Sequence, residues 1–264
     1  MSRLAERFRL LRRRGEKALL CYLTAGDPDL ATTAELCRAA ADAGADGLEI
    51  GLPFSDPLAD GPVIQEASVR ALAAGTGPRQ VFELVSRVRA ELELPLVLLT
   101  YFNPIYRWGV ARFLGEAADA GLDGLVVADL PLEEGAEARE QARRQGIDPI
   151  AFIAPTSTAE RLQATAREAS GFIYCVSVTG VTGAREAVSS RVEDLVRRAR
   201  EYTDVPLAVG FGISSPAQVR QVARYADAAI VGSALVRLAA ETGPGERSRR
   251  IAAFVRELKD ATRY

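Results

Sequence analysis

Eight short runs rich in Val, Ile and Leu, each followed by an amphipathic stretch of Ala, Arg and Glu, predict an α/β fold: a single-domain (β/α)8 barrel. Parallel strands buried on both faces read as near-continuous apolar runs, and helices must cross back between them. Eight such units in about 250 residues suit a closed barrel better than an open doubly wound sheet. The barrel is expected to span residues 1–264, with one helix ahead of the first strand.

That first helix comes from the basic segment Arg3–Lys17, which lacks the apolar core of a secretory leader and reads as an exposed-faced helix. The first strand is Ala18–Thr24, and its helix is Leu30–Ala43. The piece AGADG, Ala43–Gly47, turns the chain into the second strand, Gly47–Pro53, because glycine is the favoured residue just past a helix end. Two helices follow, Pro62–Ala74 and an extra one at Pro78–Glu91, before the third strand, Pro95–Phe102. Helix Val110–Ala120 and a second turn of the same kind, AGLDG at Ala120–Gly124, lead into the fourth strand, Gly124–Leu130. Helix Glu133–Gln145, strand Pro149–Ala154, helix Ala159–Ala169 and strand Phe172–Val178 continue the alternation. Helix Val192–Glu201, strand Pro206–Gly212, helix Pro216–Tyr225 and strand Ala228–Gly232 complete it, with a short helix opening at Ser233 and a last one at Arg247–Thr262. The intervals from strand two to three and from strand six to seven are stretched. The second holds Thr179–Ser190, with Gly180 and Gly183 as flexible points. In a barrel both loops emerge on the catalytic face, where they read as binding and lid elements.

Composition narrows the chemistry. Hydrophobic residues at 48% and charged residues at 26% suit a globular chain with a sizeable core. There is no membrane-spanning run, and 33 basic against 35 acidic residues give no overall basic field for nucleic acid. Cys21, Cys37 and Cys175 have no CxxC spacing, which suggests small hydrophobes in a reducing cytoplasm. The chain has no histidine, which removes Ser-His pairs, His acid–base work and His-ligated metals. Lys17 precedes the first strand and Lys259 lies in the last helix, so neither suits a Schiff base in a barrel interior. Carboxylates, tyrosines and backbone groups are left to do the work.

The segment LEIGLPFSDPLADGPVIQ, Leu48–Gln65, carries the strongest chemical signal. Glu49 sits between Leu48 and Ile50 in a strand, and a buried carboxylate is costly unless something uses or pairs it. Asp60 lies in the loop that follows. A second signal is for phosphate. Strand seven runs into GFGISS, Gly210–Ser215, and strand eight into GSAL, Gly232–Leu235. Glycines let backbone N–H groups approach an anion, the helix opening at Ser233 turns its N-terminus toward it, and barrels commonly hold phosphate after these two strands. Between the two poles, Tyr22, Leu99, Val126, Ile153 and Phe211 could form an apolar slot for a flat ring, although such residues also fill every barrel interior.

LEIGLPFSDPLADGPVIQ also resembles the signature of the tryptophan synthase alpha subunit family. The likeness extends through YLTAGDP at Tyr22–Pro28, YFNPI at Tyr101–Ile105, VADLP at Val127–Pro131, SVTGVTGAR at Ser177–Arg185 and GFGIS at Gly210–Ser214. It implies a (β/α)8 barrel that cleaves indole-3-glycerol phosphate to indole and glyceraldehyde 3-phosphate in tryptophan biosynthesis. It also implies a cytoplasmic alpha2beta2 assembly with no cofactor in this chain, the pyridoxal phosphate residing in a beta subunit that receives the indole. The family's two catalytic carboxylates fall on Glu49 and Asp60, a tyrosine near the substrate on Tyr174, and the lid threonine that holds the aspartate on Thr182. The phosphate cradle falls on Gly183, Gly212, Gly232 and Ser233, beside Phe211. Pro53, Asp56 and Pro57, with YFNPI, fall where the family faces its beta subunit. The sequence departs from some members at Val178, where they have arginine, and at Tyr22, where they have phenylalanine. Two other readings compete: a different phosphate-binding barrel, such as an indoleglycerol-phosphate synthase or a phosphoribosylanthranilate isomerase, and a non-catalytic activator that binds ligand to switch a partner. The first lacks the PFSDPLADGP loop, and the synthase leans on a lysine absent from this core. Intact acids at both positions argue against the second.

Overall fold

A computed structural model describes residues 2–176, 185–210 and 212–263. Its sheet is a closed barrel of eight parallel strands in sequence order. They are β1 (Ala18–Thr24), β2 (Gly47–Gly51), β3 (Leu96–Thr100), β4 (Gly124–Val127), β5 (Asp148–Ile153), β6 (Ile173–Val176), β7 (Leu207–Gly210) and β8 (Ala228–Val231). The ring shuts where Ala18 of β1 pairs with Ala228 of β8. The helices are α1 (Arg3–Arg14), α2 (Leu30–Asp42), α3 (Pro62–Ala73), α4 (Pro78–Glu91), α5 (Phe102–Trp108), α6 (Val110–Asp119), α7 (Ala136–Arg144), α8 (Ala159–Glu168), α9 (Arg185–Arg200), α10 (Pro216–Ala223), α11 (Ser233–Glu241) and α12 (Arg247–Asp260).

The strands' period of two divides the apolar residues into two clusters. Leu19, Cys21, Leu23, Leu48, Ile50, Leu98 and Ile153 point outward and pack against the helices. Leu20, Tyr22, Val97, Leu99, Val126, Ile150, Tyr174 and Ile230 point inward and fill the barrel. Three residues of α1, Leu4, Phe8 and Leu11, belong to the inner cluster. Their helical spacing puts them on one face, so α1 closes the N-terminal end of the barrel and leaves its arginines outside. Ser2 accepts a hydrogen bond from the Ala5 N–H to start α1, and Gly15, at φ 68°, ends it in the left-handed conformation.

One device recurs at that N-terminal end and explains the aspartate of the AGxDG turns. Asp46 donates its N–H to the Leu19 carbonyl, while its Oδ2 accepts the Leu19 N–H at 2.8 Å. Asp123 does the same with Leu96, and Asp227 with Leu207. Each carboxylate thereby satisfies an N–H at the start of an adjoining strand, and each also meets a cation from a helix: Lys259, Arg89 and Arg200 respectively. This places Lys259 far from the catalytic face, bound to Asp46 at 2.8 Å, and Lys17 beside Asp227 at 3.9 Å.

Several boundaries differ from the sequence expectation. Helix α5 was unexpected: its seven residues include Pro104 and directly follow an apolar strand, so no amphipathic period announces it. Helix α7 begins at Ala136 rather than Glu133, because Pro131–Gly135 closes a separate turn with the Gly135 N–H on the Pro131 carbonyl. Helix α9 begins at Arg185, well before Val192. Strand β2 ends at Gly51, short of Pro53, which has no N–H to give a ladder.

Candidate active site

The parity of β2 makes Glu49 an interior residue. Leu48 and Ile50 face the helices, so Glu49 faces the barrel axis, in register with Tyr22 on β1 and Val97 on β3. It is 2% exposed, and its Oε1 is buried with no hydrogen-bond partner. Burial in an apolar barrel disfavours the carboxylate, and the nearby charge of Asp60 adds to that, pushing the Glu49 carboxyl up to about 8. A group of that kind carries its proton at neutral pH and can give it up and take it back.

Asp60 sits on a loop fastened at several points. Its N–H donates to the Pro57 carbonyl at 3.0 Å, and the Gln65 side chain donates to its carbonyl at 3.0 Å. Gly61 and Pro62 then open α3, proline at the first helical position needing no N–H partner. The carboxylate itself is aimed by Tyr101, at the end of β3. The Tyr101 hydroxyl donates to Asp60 Oδ2 at 3.0 Å and accepts the Ala59 N–H at 3.0 Å. Partial burial raises the Asp60 carboxyl to about 6, and the Tyr101 hydrogen bond opposes that rise. Tyr101 was not singled out as a site residue by the sequence, although its place at the head of YFNPI, directly after a barrel strand, was the available signal.

Glu49 and Asp60 open onto one cavity of about 60 Å³, walled by Tyr22, Leu99, Tyr174, Ile64 and Ile230. The Tyr22 hydroxyl finds a partner in Thr24 Oγ1 at 3.3 Å. It lies so close to the β2 backbone that a Cβ on Gly51 would fall 2.0 Å from it, so only glycine fits opposite this tyrosine. The slot expected from sequence is partly rearranged. Val126 is interior but lies outside the cavity wall. Ile153 points away from the interior into the helix layer; the inward residue of β5 is its neighbour Phe152, whose ring centroid is 5.1 Å from that of Tyr174. The expectation for Ile153 failed by one residue of strand parity, a slip that inverts the side chain. Thr182, Gly183 and Phe211 lie outside the described residues.

Gly212, Gly232 and Ser233 line the same cavity. Gly212 has φ 82°, a left-handed conformation that favours glycine. Gly232 precedes α11, and a Cβ there would press on Tyr22 at 3.2 Å. The N–H groups of Leu235 and Val236 donate to the Gly232 carbonyl, and the dipole of α11 favours an anion before its first turn. The arrangement is a protonated acid, a carboxylate held by a tyrosine, an apolar slot and an anion-attracting helix end. Among the described residues no cluster of His, Cys, Asp or Glu could hold a metal.

The chain is similar to known proteins over nearly its whole length. The family model described as "Tryptophan synthase alpha chain" matches residues 8–263. A tryptophan synthase alpha chain from Carboxydothermus hydrogenoformans is 52% identical over 238 residues, covering 90% of this chain and 89% of that protein. One from Synechocystis is 52% identical over 262 residues, covering 99% of each. Among solved structures, tryptophan synthase subunit alpha from Legionella pneumophila superposes with a TM-score of 0.92 at 34% identity, covering 99% of this chain and 98% of that one. A tryptophan synthase structure from Mycobacterium tuberculosis matches with a TM-score of 0.90 at 37% identity.

Proposed function

We infer that Glu49 and Asp60 carry the chemistry of this chain, which belongs to the tryptophan synthase alpha chain family. It is a carbon–carbon lyase of tryptophan biosynthesis that cleaves indole-3-glycerol phosphate to indole and glyceraldehyde 3-phosphate. The observation that carries the assignment of roles is the buried, partnerless Oε1 of Glu49 facing the cavity it shares with Asp60.

The reaction moves one proton from the side-chain hydroxyl to indole C3 while the bond between C3 and the glycerol chain breaks. Protonated Glu49 gives its proton to C3, leaving a positively charged indolenine. Asp60, ionised, accepts the ring N–H and offsets that charge in a site of low dielectric. Glu49, now a carboxylate, takes the proton of the hydroxyl next to the breaking bond. The bond's electrons return to the ring, giving indole and the aldehyde, and Glu49 ends as it began. Tyr22, Leu99 and Tyr174 hold the ring in this reading. Gly212, Gly232 and Ser233, with Gly183, hold the phosphate, supported by the helix dipole at the start of α11. Thr182 would hold Asp60 when the lid closes.

The chain is read as needing no cofactor of its own, with pyridoxal phosphate in a beta-subunit partner that takes the indole. Two exposed apolar side chains support a partner on the catalytic face. Leu58, 92% exposed, follows Pro57, and Tyr106, 69% exposed, lies on α5 just after the YFNPI segment. We place the resulting alpha2beta2 assembly in the cytoplasm, in keeping with three free buried cysteines. No helix among the described residues is long and apolar enough to cross a membrane.

The test is release of indole from indole-3-glycerol phosphate by the purified chain, with and without a tryptophan synthase beta subunit. Release that rises on adding the partner is expected. No release in either condition from folded protein would overturn this assignment of roles.

A further inference from the structure

A second cavity, of about 70 Å³, lies outside the barrel where β4 and β5 part company. Their ladder ends at the Val126–Ile150 pair, although β5 runs on to Ile153. The gap is filled from the helix side by Ile105, Leu114, Leu130 and Ala142. Into this apolar lining come two guanidinium groups, Arg139 of α7 and Arg161 of α8.

Arg139 is the unusual one. Its Nε is buried with no hydrogen-bond partner, and its nearest acid, Glu168, stands 3.9 Å away. Glu168 is shared: it accepts from Arg143 at 2.8 Å and pairs with the Arg139 Nε only at 3.9 Å, beyond hydrogen-bond distance. Arg161 is held at the cavity by an ion pair with Glu133, on the turn after β4. Buried donors are nearly always satisfied, and an orphan on a charged group beside an open cavity marks a place for an acceptor. A carboxylate is the acceptor that a guanidinium fork fits best, and the rest of the lining takes only apolar atoms.

We propose that this cavity behind β4 and β5 is a binding site for a small branched-chain carboxylate, its carboxylate on Arg139 and its alkyl end among Ile105, Leu114 and Leu130. At about 70 Å³ the cavity has room for a short alkyl chain beside the guanidinium groups. The site is separate from the catalytic cavity yet one ring away from it: Phe152 lines this cavity and packs at a tilt against Tyr174, which lines the other. An occupant therefore bears on the substrate slot, a consequence that rests on the role given to Tyr174 above, whereas binding itself does not.

The test is calorimetric titration of the full chain with isovalerate, with saturating inorganic phosphate keeping the catalytic anion site filled. Isovalerate is expected to bind one equivalent. Ala138→Leu, which fills the cavity from α7, and Arg139→Met, which removes the donor, should each weaken binding by about tenfold or more. Uncharged 3-methylbutan-1-ol should lose affinity in Ala138→Leu but not in Arg139→Met. Both variants should keep the wild-type melting temperature and indole release, which guards against misfolding. Absence of binding, displacement by phosphate, or equal affinity in Ala138→Leu would overturn the site. A wild-type KM for indole-3-glycerol phosphate that does not change with isovalerate would overturn the link through Phe152.

Discussion

The hydroxyl of Tyr101 donates to Asp60 Oδ2 at 3.0 Å while accepting the N–H of Ala59, the residue just before Asp60. One phenol thus fixes both the carboxylate and the backbone that carries it, and the bond favours the ionised acid that the proposed mechanism needs. Tyr101→Phe is predicted to raise the Asp60 pKa from its value of about 6. The acidic limb of kcat/KM against pH should move upward, with kcat near neutrality lower by about tenfold. An unmoved limb would show that Tyr101 only packs.

The wild-type profile itself follows from the two carboxyls. In the proposed mechanism Asp60 must be ionised, giving an acidic limb near 6, and Glu49 must hold its proton, giving a basic limb near 8. A bell between those limbs is predicted for kcat/KM. A rate that keeps rising beyond pH 9 would deny Glu49 the role of acid.

Glu49 also ties stability to pH. Its folded pKa is raised above the unfolded value, so the folded state holds a proton that the unfolded state releases. Stability is therefore lost as pH climbs from the unfolded value of about 4.5 toward about 8, and the loss is constant above that. Glu49→Gln removes the cost and should be more stable than wild type at pH 9 by roughly 2–4 kcal/mol, with little difference at pH 4. Denaturant melts at both pH values check this.

Asp123→Ala should destabilise the barrel by about 3–5 kcal/mol, because it leaves the half-buried Arg89 cation without its counter-charge and the buried Leu96 N–H without its acceptor. Urea unfolding measures it. A loss under 1 kcal/mol would mean that water replaces the carboxylate.

The barrel was legible because eight buried parallel strands leave eight apolar runs, and Glu49 stood out because nothing in a strand's packing explains it. What escaped the sequence depended on parity and distance. Ile153 and Phe152 are adjacent and both apolar, so composition cannot say which faces inward. Tyr101 reaches Asp60 across 41 positions of chain. Helix α5, with a proline in seven residues, has too few positions to display a period. The lid segment around Thr182 was placed by resemblance alone.

The central claim is that one carboxyl, Glu49, both gives and takes the transferred proton. Its most direct test is indole release by Glu49→Gln, assembled with a beta subunit and shown by calorimetry to bind glycerol phosphate as wild type does. Gln keeps the size and polarity of the side chain but exchanges no proton, so release should fall by about three orders of magnitude or more with binding intact. Release within a few-fold of wild type would contradict the account.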